Sequence, residues 1–588
     1  MALLPPGPVF LLRQLIRLGV PAALIYAALN QLSNYVDTIP FWIVPIVTLL
    51  TVPAIVFFPF FWADLKNERR RRSLGADPVP FVTGGGFMGR NIIKMLQEHG
   101  EAMYPSDLYG PLPQMYGGIF SLKIVLHDLI FTMEPAYIKA ILATQFENFQ
   151  KGPMFIKNFR PVLGNGIFNA DSDMWKFHRA LTRPFFTRDR ITDFETFERH
   201  ADKAISITRT RLREGQPIDF QDLIGRFTLD TASSFLLGKE MNSLSLPLPY
   251  PTSNYSRLPP NANPHPHADS FNESLSLAQK VSSGRQILGG AWPLVEMWED
   301  KLEDPMAVIH NFIEPVIQEA MERKQGGFEK GEAECLTMLD ELVRQTDDQT
   351  LIRDETINML VAGKDTTSCT LTFATYMLSE HPHVMTRLRQ EVLDTVGPDR
   401  TPTYADLKDM KYLRAVINEC LRLYPPVPLN SRRAAKATTF PPLTPGGKLI
   451  FIPEGATIVY SVFYMHRRRD LWGPDALEFD PDRFIDSRLQ KYFLPNPWIF
   501  LPFNAGPRIC LGQQFAYNQM SFFLIRLLQS FSSISLDLSA RPDSTRPPEA
   551  WKLTKEGRQA KEKLLTDAHL TLFIKDAMWV QMKEATDN

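Results

Sequence analysis

The residues best suited to chemistry lie around Cys510, in a loop that reads FLPFNAGPRICLG from 500 to 512. A helix is predicted to begin at about Gln513, so the cysteine directly precedes a helix N-terminus. The free N–H groups and the positive dipole end there lower the pKa of a thiol. A thiolate can bind iron and push electron density onto it, which favours O–O cleavage. Gly506 and Gly512 permit a tight turn and a backbone that lies flat against a planar cofactor.

Two further side chains in this loop fit a cofactor site. Phe503 can shield the sulfur from water, Arg508 can bind a carboxylate, and loop amides can tune the sulfur through hydrogen bonds. A buried structural cysteine is the alternative for any isolated cysteine. Five matched positions argue against it, because together they complete the pattern F-x-x-G-x-R-x-C-x-G: Phe503, Gly506, Arg508, Cys510 and Gly512. This pattern resembles the signature of the cytochrome P-450 family, and the resemblance implies that Cys510 ligates the iron of haem b.

The segment Ala362 to Thr367 reads AGKDTT and resembles the family's oxygen-activating helix. The resemblance implies that Gly363 leaves room for dioxygen, that Thr366 hydrogen-bonds it, and that Asp365 relays protons from solvent. Proton delivery needs a group within hydrogen-bond reach of the reacting atom. The alternative is a helix-interior threonine that bonds back to the preceding turn.

Several basic residues match positions that bind the haem propionates in this family. Trp175 and Arg179 form W-x-x-x-R, whose i, i+4 spacing places both on one helix face. Arg432 stands where many members carry another propionate-binding arginine, and Arg508 lies in the cysteine loop itself. A guanidinium suits this role because it pairs with carboxylates in a bidentate fashion. An ordinary ion pair is the alternative for each arginine.

Glu419 and Arg422 match the family's E-x-x-R, with Arg483 as the expected third member. In the family this group is buried, so its expected role is fold integrity rather than chemistry. Asp482, which precedes Arg483, stands where the family usually has Glu.

The elements that must position these residues are mostly helical. The pattern predicts a helix over about 349–380, capped by Asp347 or Asp348 and ended by Pro382. Further helices are expected over 407–424 and 513–530, with helical periodicity resuming at about 270. Residues 241–267 are rich in Pro and Asn and are expected to form an exposed insertion. The resemblance covers about 90–540 and implies the cytochrome P-450 fold, mainly α with a small β-rich lobe.

The first 72 residues predict a membrane anchor. Residues 38–63 contain no charged side chain and exceed the ~20 residues that span a bilayer. Four prolines in this stretch would bend a helix. The basic run Lys66 and 69–72 follows, which places the downstream chain on the cytosolic side. A second stretch, 18–35, is either another span or an interfacial helix. Residues 73–90 are expected to be a linker and 91–588 the monooxygenase domain.

The bulk composition excludes other classes. The chain has 588 residues, 44% hydrophobic and 22% charged, which is enough for a substantial core. Lys and Arg total 64 against 65 Asp and Glu, so no basic surplus predicts nucleic acid binding. The four cysteines are far apart and predict reduced, cytosol-facing thiols. Gly84, Gly86 and Gly89 fit G-x-G-x-x-G, but no buried strand precedes them, so dinucleotide binding is not expected.

Taken together, these features predict a membrane-bound monooxygenase of the endoplasmic reticulum. The resemblance implies dioxygen as co-substrate and electrons from NADPH through a cytochrome reductase, with cytochrome b5 as an optional second donor and lipid around the anchor. Three segments, beginning LRLYPPVP, MHRRRDLW and FLPFNAGP, resemble fungal alkane and fatty-acid hydroxylases. We therefore expect hydroxylation of long apolar chains. Oxidation of aromatic or xenobiotic compounds is the alternative. A haem-thiolate isomerase or a non-catalytic haem-binding membrane protein would not need Asp365 and Thr366.

Overall fold

The computed structural model describes residues 4–33, 40, 42–86, 89–101, 109, 112–124, 127–186, 194–251, 267–326, 337–554 and 557–585. Its helices are α1 Pro6–Ser33, α2 Ile43–Ser73, α3 Arg90–Glu101, α4 Leu112–Tyr116, α5 Pro135–Lys139, α6 Pro153–Leu163, α7 Ser172–Thr182, α8 Phe194–Arg213, α9 Phe220–Leu237, α10 His267–Leu288, α11 Glu303–Gly326, α12 Met338–Gln345, α13 Gln349–Glu380, α14 Pro382–Thr395, α15 Tyr404–Asp409, α16 Lys411–Leu423, α17 Val462–Met465, α18 Arg469–Trp472 and α19 Gln513–Ser530. The mainly helical prediction is confirmed.

The strands form small sheets beside the helices. They are β1 Asp77–Pro78, β2 Ile119–Ile124, β3 His127–Thr132, β4 Phe149–Gln150, β5 Ile218–Asp219, β6 Leu429–Ala434, β7 Thr438–Phe440, β8 Ile450–Ile452, β9 Thr457–Ser461, β10 Phe531–Leu536, β11 Thr566–Ala568, β12 Leu572–Ile574 and β13 Trp579–Glu584. The largest sheet has the order β2-β3-β9-β6-β4, and smaller sheets have the orders β1-β8-β7 and β10-β13-β5. β11 and β12 form a separate antiparallel hairpin.

Helix α13 runs through the centre of the catalytic domain and packs on α9, α16 and α19. Its first turn is capped by Asp348, whose carboxylate accepts hydrogen bonds from the N–H groups of Thr350 and Leu351. It ends at Glu380, and Pro382 then starts α14. These bounds confirm the prediction. The helix is buried on most faces because other helices surround it, and polar residues such as Glu355, Asn358 and Lys364 are among its buried side chains.

The buried ion-pair network behind the cysteine loop also matches its prediction. Arg422 donates two hydrogen bonds to Glu419, both at 2.7 Å, and Arg483 Nε lies 3.6 Å from the same carboxylate. Arg422 donates further bonds to the carbonyl oxygens of His466 and Ala476. Each buried arginine thus has a carboxylate beside it, with Asp475 as the second partner of Arg483. The network joins α16 to the chain that leads into the cysteine loop.

The helix predicted over 407–424 is wrong in one respect, since the structure divides it into α15 and α16. Met410, between them, has ψ 86°, which is not helical. Thr403 and Asp406 form a capping box that starts α15 as a separate short helix. Of the expected insertion at 241–267, residues 252–266 lie outside the described part of the chain.

Both N-terminal segments are helices long and apolar enough to cross a membrane. The prolines predicted to bend the second one do not interrupt it, because Pro53 and Pro59 both lie inside α2. The hydroxyls of Thr48 and Thr51 donate to backbone carbonyls one turn earlier, so these side chains need no other partner in lipid.

Candidate cysteine-ligated cofactor site

The cysteine loop is held in a bend that only glycine fits at one position. Gly506 has φ +67°, and a Cβ there would lie 2.8 Å from the carbonyl carbon of Leu142. The N–H of Cys510 donates to the Phe503 carbonyl at 3.0 Å, which closes the loop. The ring of Phe503 packs on Tyr517 with centroids 5.1 Å apart. Gly512 has φ −85°, so its backbone does not require glycine, although a Cβ would lie 3.4 Å from Phe186.

Cys510 lies directly before α19 and keeps accessible surface although protein atoms surround its sulfur, whereas Cys369 and Cys420 are buried in the core. Burial raises the pKa of the Cys510 thiol, while the Gly512 N–H and the charge of Arg179 lower it. The expected lowering of the pKa is therefore present but smaller than the cost of desolvation. The thiolate needs a cation beside it to form readily, and a metal ion supplies one.

Arg179, Arg432 and Arg508 come together beside the cysteine loop. Arg179 donates to the Ile509 carbonyl at 2.9 Å, and the Arg508 guanidinium lies 4.7 Å from the Trp175 ring centroid. The buried Arg432 side chain donates to its own strand, at Asn430 and Ser431. The structure thus brings together all four residues that the sequence assigned to propionate binding.

A fourth cation in this group, Lys151, has no signal in the sequence. Its ammonium lies 4.4 Å from the Phe155 ring centroid at the start of α6. Burial, followed by the charges of Arg432 and Arg508, lowers the pKa of Lys151 well below its ordinary value. We call Lys151, Arg179, Arg432 and Arg508 the cation cluster.

Within the described part of the chain, Asp171 is the carboxylate that contacts the cation cluster. It accepts a hydrogen bond from Arg508 Nη2 at 3.0 Å and others from the backbone N–H groups of Lys151 and Gly152. Burial and the charge of Arg432 lower the pKa of Arg508 to about 10. Its Nε is buried without a partner.

The donor set therefore fits a group with anionic edges. Four cations against one carboxylate leave a positive excess in a partly desolvated place, which is costly unless anions neutralise it. Two carboxylates, as on haem, would meet this requirement. The Cys510 sulfur beside them would supply a soft ligand for the iron. The residues present fit haem b.

Helix α7, which carries Trp175 and Arg179, is fixed to α13 by a buried contact. His178 Nδ1 contacts the carboxylate of Glu355, and both side chains are almost wholly enclosed. This contact links the propionate side of the site to the helix that carries the predicted oxygen-activating pair.

In the middle of α13, Ala362, Gly363, Asp365 and Thr366 remain partly accessible, whereas the residues on either side of this segment are mostly buried. A Cβ at Gly363 would contact Ala232 of α9 at 3.5 Å, so the missing side chain also allows α9 to pack closely. The Thr366 hydroxyl donates to the Ala362 carbonyl at 2.7 Å. The back-bonded threonine considered from the sequence is thus the conformation observed.

Asp365, unlike Thr366, lines a cavity of about 220 Å³ between α9, α10, α13 and the β11–β12 hairpin. One carboxylate oxygen pairs with Lys364 Nζ at 2.6 Å, and the other accepts a hydrogen bond from Gln279 Nε2 at 2.7 Å. His569, at the hairpin tip, also lines the cavity. Gln279 is a residue that sequence reasoning missed, since it lies on a different helix with no pattern around it.

Comparison with known proteins agrees with this geometry. A family model described as Cytochrome P450 matches residues 91–561. The chain is 36% identical to cytochrome P450 52A9 of Candida maltosa over 523 residues, which is 87% of this chain and 95% of the relative. It is 38% identical to cytochrome P450 52E1 of Candida apicola over 421 residues, 69% of this chain and 76% of the relative. Cytochrome P450 52-E3 of Starmerella bombicola is 37% identical over the same number of residues, 421, with the same coverage, 69% and 76%.

Proposed function

The chain belongs to the cytochrome P450 family, and we propose that it hydroxylates long apolar chains, fatty acids or alkanes, at or near the chain end. It is a membrane-anchored haem-thiolate monooxygenase that uses dioxygen and NADPH-derived electrons delivered by a reductase. Haem, when bound, supplies the iron at which dioxygen is activated, so that one oxygen atom enters a C–H bond.

The choice of substrate class is supported mainly by the resemblance of three segments to fungal alkane and fatty-acid hydroxylases. The relatives described above are yeast proteins that carry the same number, 52, in their names. Two apolar N-terminal helices agree with a substrate that partitions into lipid.

In this proposal the Cys510 thiolate would bind the haem iron, and Phe503 would keep water from the sulfur. The haem propionates would be held by Trp175, Arg179, Arg432 and Arg508, together with Lys151. Gly506 and Gly512 allow the loop backbone to approach the cofactor closely. The support is the charge excess of the cation cluster and the Cys510 sulfur beside it.

Asp365 and Thr366 deliver protons in the proposed reaction. Solvent protons enter through the cavity lined by Gln279 and His569, and Asp365 carries them inward after it leaves Gln279 and Lys364. The Thr366 hydroxyl would then donate its own proton and accept one that arrives through Asp365. The support is that Asp365 lines this cavity and directly precedes Thr366 on the partly accessible part of α13.

We place the enzyme in the endoplasmic reticulum membrane with its catalytic domain on the cytosolic side. The basic run 69–72 at the end of α2 supports this orientation. Surrounding lipid and cytochrome b5 are the remaining proposed partners.

The substrate proposal is tested by titrating the detergent-solubilised holoenzyme with palmitate, dodecane and a polycyclic aromatic compound such as pyrene. A substrate-induced Soret shift with the first two, and hydroxylated products by gas chromatography, are expected. A shift and product with pyrene alone would replace the proposal by aromatic oxidation.

The ligand proposal is tested with Cys510→Ala and the matched control Cys369→Ala. The reduced, carbon-monoxide-bound parent and the control should show the red-shifted Soret band of thiolate ligation. Cys510→Ala should lose that band and all turnover. A thiolate band retained by Cys510→Ala would show that another residue is the ligand.

A further inference from the structure

Both N-terminal helices are attached to the catalytic domain at the ends that lie farthest from their connection. At the start of α1, the N–H of Gly7 donates to the carbonyl of Met297 at 3.2 Å. Near the end of α2, Asp64 pairs with Lys123 at 3.2 Å and Lys66 pairs with Glu454 at 3.0 Å. The first turn of α1 and the last turns of α2 therefore lie on the same side, next to the domain.

The helices between these attachments have the length of a bilayer. Trp42 and Trp62 on α2 are both exposed, and 20 residues of helix separate them by about 30 Å, the thickness of the hydrocarbon core. Aromatic residues favour the two membrane interfaces. On α1 the interval from Arg13 to Ser33 has the same length, so the two helices would span the same thickness of membrane. Their apolar side chains point outward, with Leu24 65% and Leu49 74% exposed.

The distribution of charge agrees with two crossings rather than one. Arg13 and Arg17 lie toward the domain end of α1, and Arg69–Arg72 lie at the domain end of α2. The connecting residues, 34–42, contain Asp37 and neither Lys nor Arg. Basic residues favour the cytosolic side, so both attached ends belong there. Arg17, one turn inside Arg13, can reach the interface with its long side chain.

Segment 287–298 contacts the start of α1 through Met297. It exposes apolar side chains to the outside and encloses charged ones. Ile287 is 85% exposed and Trp298 77% exposed, whereas Arg285 is 3% exposed. Arg285 is buried by pairing with Glu296, at 2.9 Å from Nε, and with Asp300, at 2.5 Å from Nη2. In water, charged side chains would be expected outside and apolar ones inside. Because this surface lies next to the start of α1, we infer that its exposed apolar side chains contact lipid.

From these observations we propose that α1 and α2 form a two-pass hairpin. The N-terminal end of α1 lies on the same face of the membrane as the catalytic domain, and segment 287–298 rests on the lipid surface. A single pass would put the start of α1 on the opposite face, where Gly7 could not contact Met297. The proposal goes beyond the proposed function and depends only on the chain being anchored.

The first test places one epitope tag before Met1 and another after Asn588 of the full chain in microsomes. With protease added to intact vesicles, both tags should be degraded without detergent. Protection of the N-terminal tag alone would overturn the two-pass arrangement. Protection of both tags would support the shared face but refute the cytosolic orientation proposed above, so the two failures are distinguishable.

A second test decides between a crossing hairpin and one that lies on the surface. A Gly- and Ser-rich spacer with an Asn-X-Ser acceptor, inserted between Asp37 and Thr38, should be N-glycosylated when both tags are accessible. An unmodified insert together with two accessible tags would overturn the proposal, because the connection would then never reach the lumen.

The contact between the start of α1 and Met297 can be tested by crosslinking, with two glycine variants as a matched pair. Cysteines at Pro8 and Trp298 should be joined by a short bismaleimide crosslinker. Gly7→Ala should lower the yield several-fold, since a Cβ there would lie 2.6 Å from the Met297 carbonyl oxygen. Gly19→Ala, where nothing lies within 4 Å of the added Cβ, should leave it unchanged. No crosslink in the parent pair would refute the contact.

Discussion

Replacing Lys151 with methionine should weaken haem binding and should increase the stability of the haem-free protein. Lys151 adds a fourth positive charge to a cluster that already holds Arg432 and Arg508, and burial together with those charges lowers its pKa. In the loaded enzyme a propionate would accept a charge-assisted hydrogen bond worth about 1.5–3 kcal/mol. At about 1.4 kcal/mol per factor of ten, its loss corresponds to a roughly 10- to 150-fold faster release of haem.

The measurement is the rate at which haem moves from the solubilised enzyme to an excess of a high-affinity haem-accepting protein, followed at the Soret band. Lys157→Met is the matched control, because Lys157 lies on α6, six residues after Lys151 in the chain, and is exposed. It should release haem at the parent rate. Equal release rates for the two variants would refute the place of Lys151 in the propionate site.

In the haem-free protein, the same substitution should be stabilising. Because the folded-state pKa of Lys151 is below its unfolded value, the unfolded chain binds the proton more tightly. Stability of the haem-free protein should therefore rise with pH toward about 10.4, the unfolded value. Lys151→Met should remove that slope and raise the thermal midpoint at pH 7. A lower midpoint would mean that the side chain acts through packing instead.

Three further outcomes follow from the same contacts. Asp365→Asn should lower product formation on the order of 100-fold and increase the solvent isotope effect, with an unchanged carbon-monoxide spectrum. Glu419→Gln should cost about 3–5 kcal/mol, measured as the urea midpoint, because it leaves Arg422 buried without its carboxylate; the control Asp482→Asn, in an exposed pair, should cost about 0–1 kcal/mol. Burial lowers the pKa of His466 to about 3, so its stabilising contribution should be lost as pH falls below about 6.5. This loss should reach about 2 kcal/mol at pH 5. The urea midpoint of His466→Gln should therefore depend less on pH than that of the parent, and an equal dependence would contradict the prediction.

The sequence predicted those parts of the site that local signals determine. The cysteine loop depends on glycines at fixed offsets, and Gly506 does adopt the left-handed conformation that requires glycine. The bounds of α13 depend on Asp348 as a cap and on Pro382, and both act as expected. The division of 407–424 into two helices was missed, because α16 is capped from another helix: Glu391 of α14 accepts hydrogen bonds from the N–H groups of Tyr412 and Leu413.

Other parts depend on packing between distant elements, which no single segment records. Lys151, between β4 and α6, joins the cluster because β4 pairs with β6, the strand that carries Arg432. Gln279 reaches Asp365 only because α10 packs above α13 at the cavity. The side-chain direction of Asp365 could not be predicted either, since both the inward and the outward rotamer satisfy the sequence pattern.

The two halves of the site have complementary electrostatic needs. Burial raises the pKa of Cys510, so its thiolate requires a cation at the sulfur. The cation cluster, a short distance away, holds more positive charge than Asp171 can neutralise and requires anions. A single cation would satisfy the cysteine and worsen the cluster, and a simple anion would do the reverse. A planar group with a metal at its centre and carboxylates at its edge satisfies both at once. The selectivity of the site for haem therefore arises from the cysteine and the cluster together, and removing either half should weaken the binding energy contributed by the other.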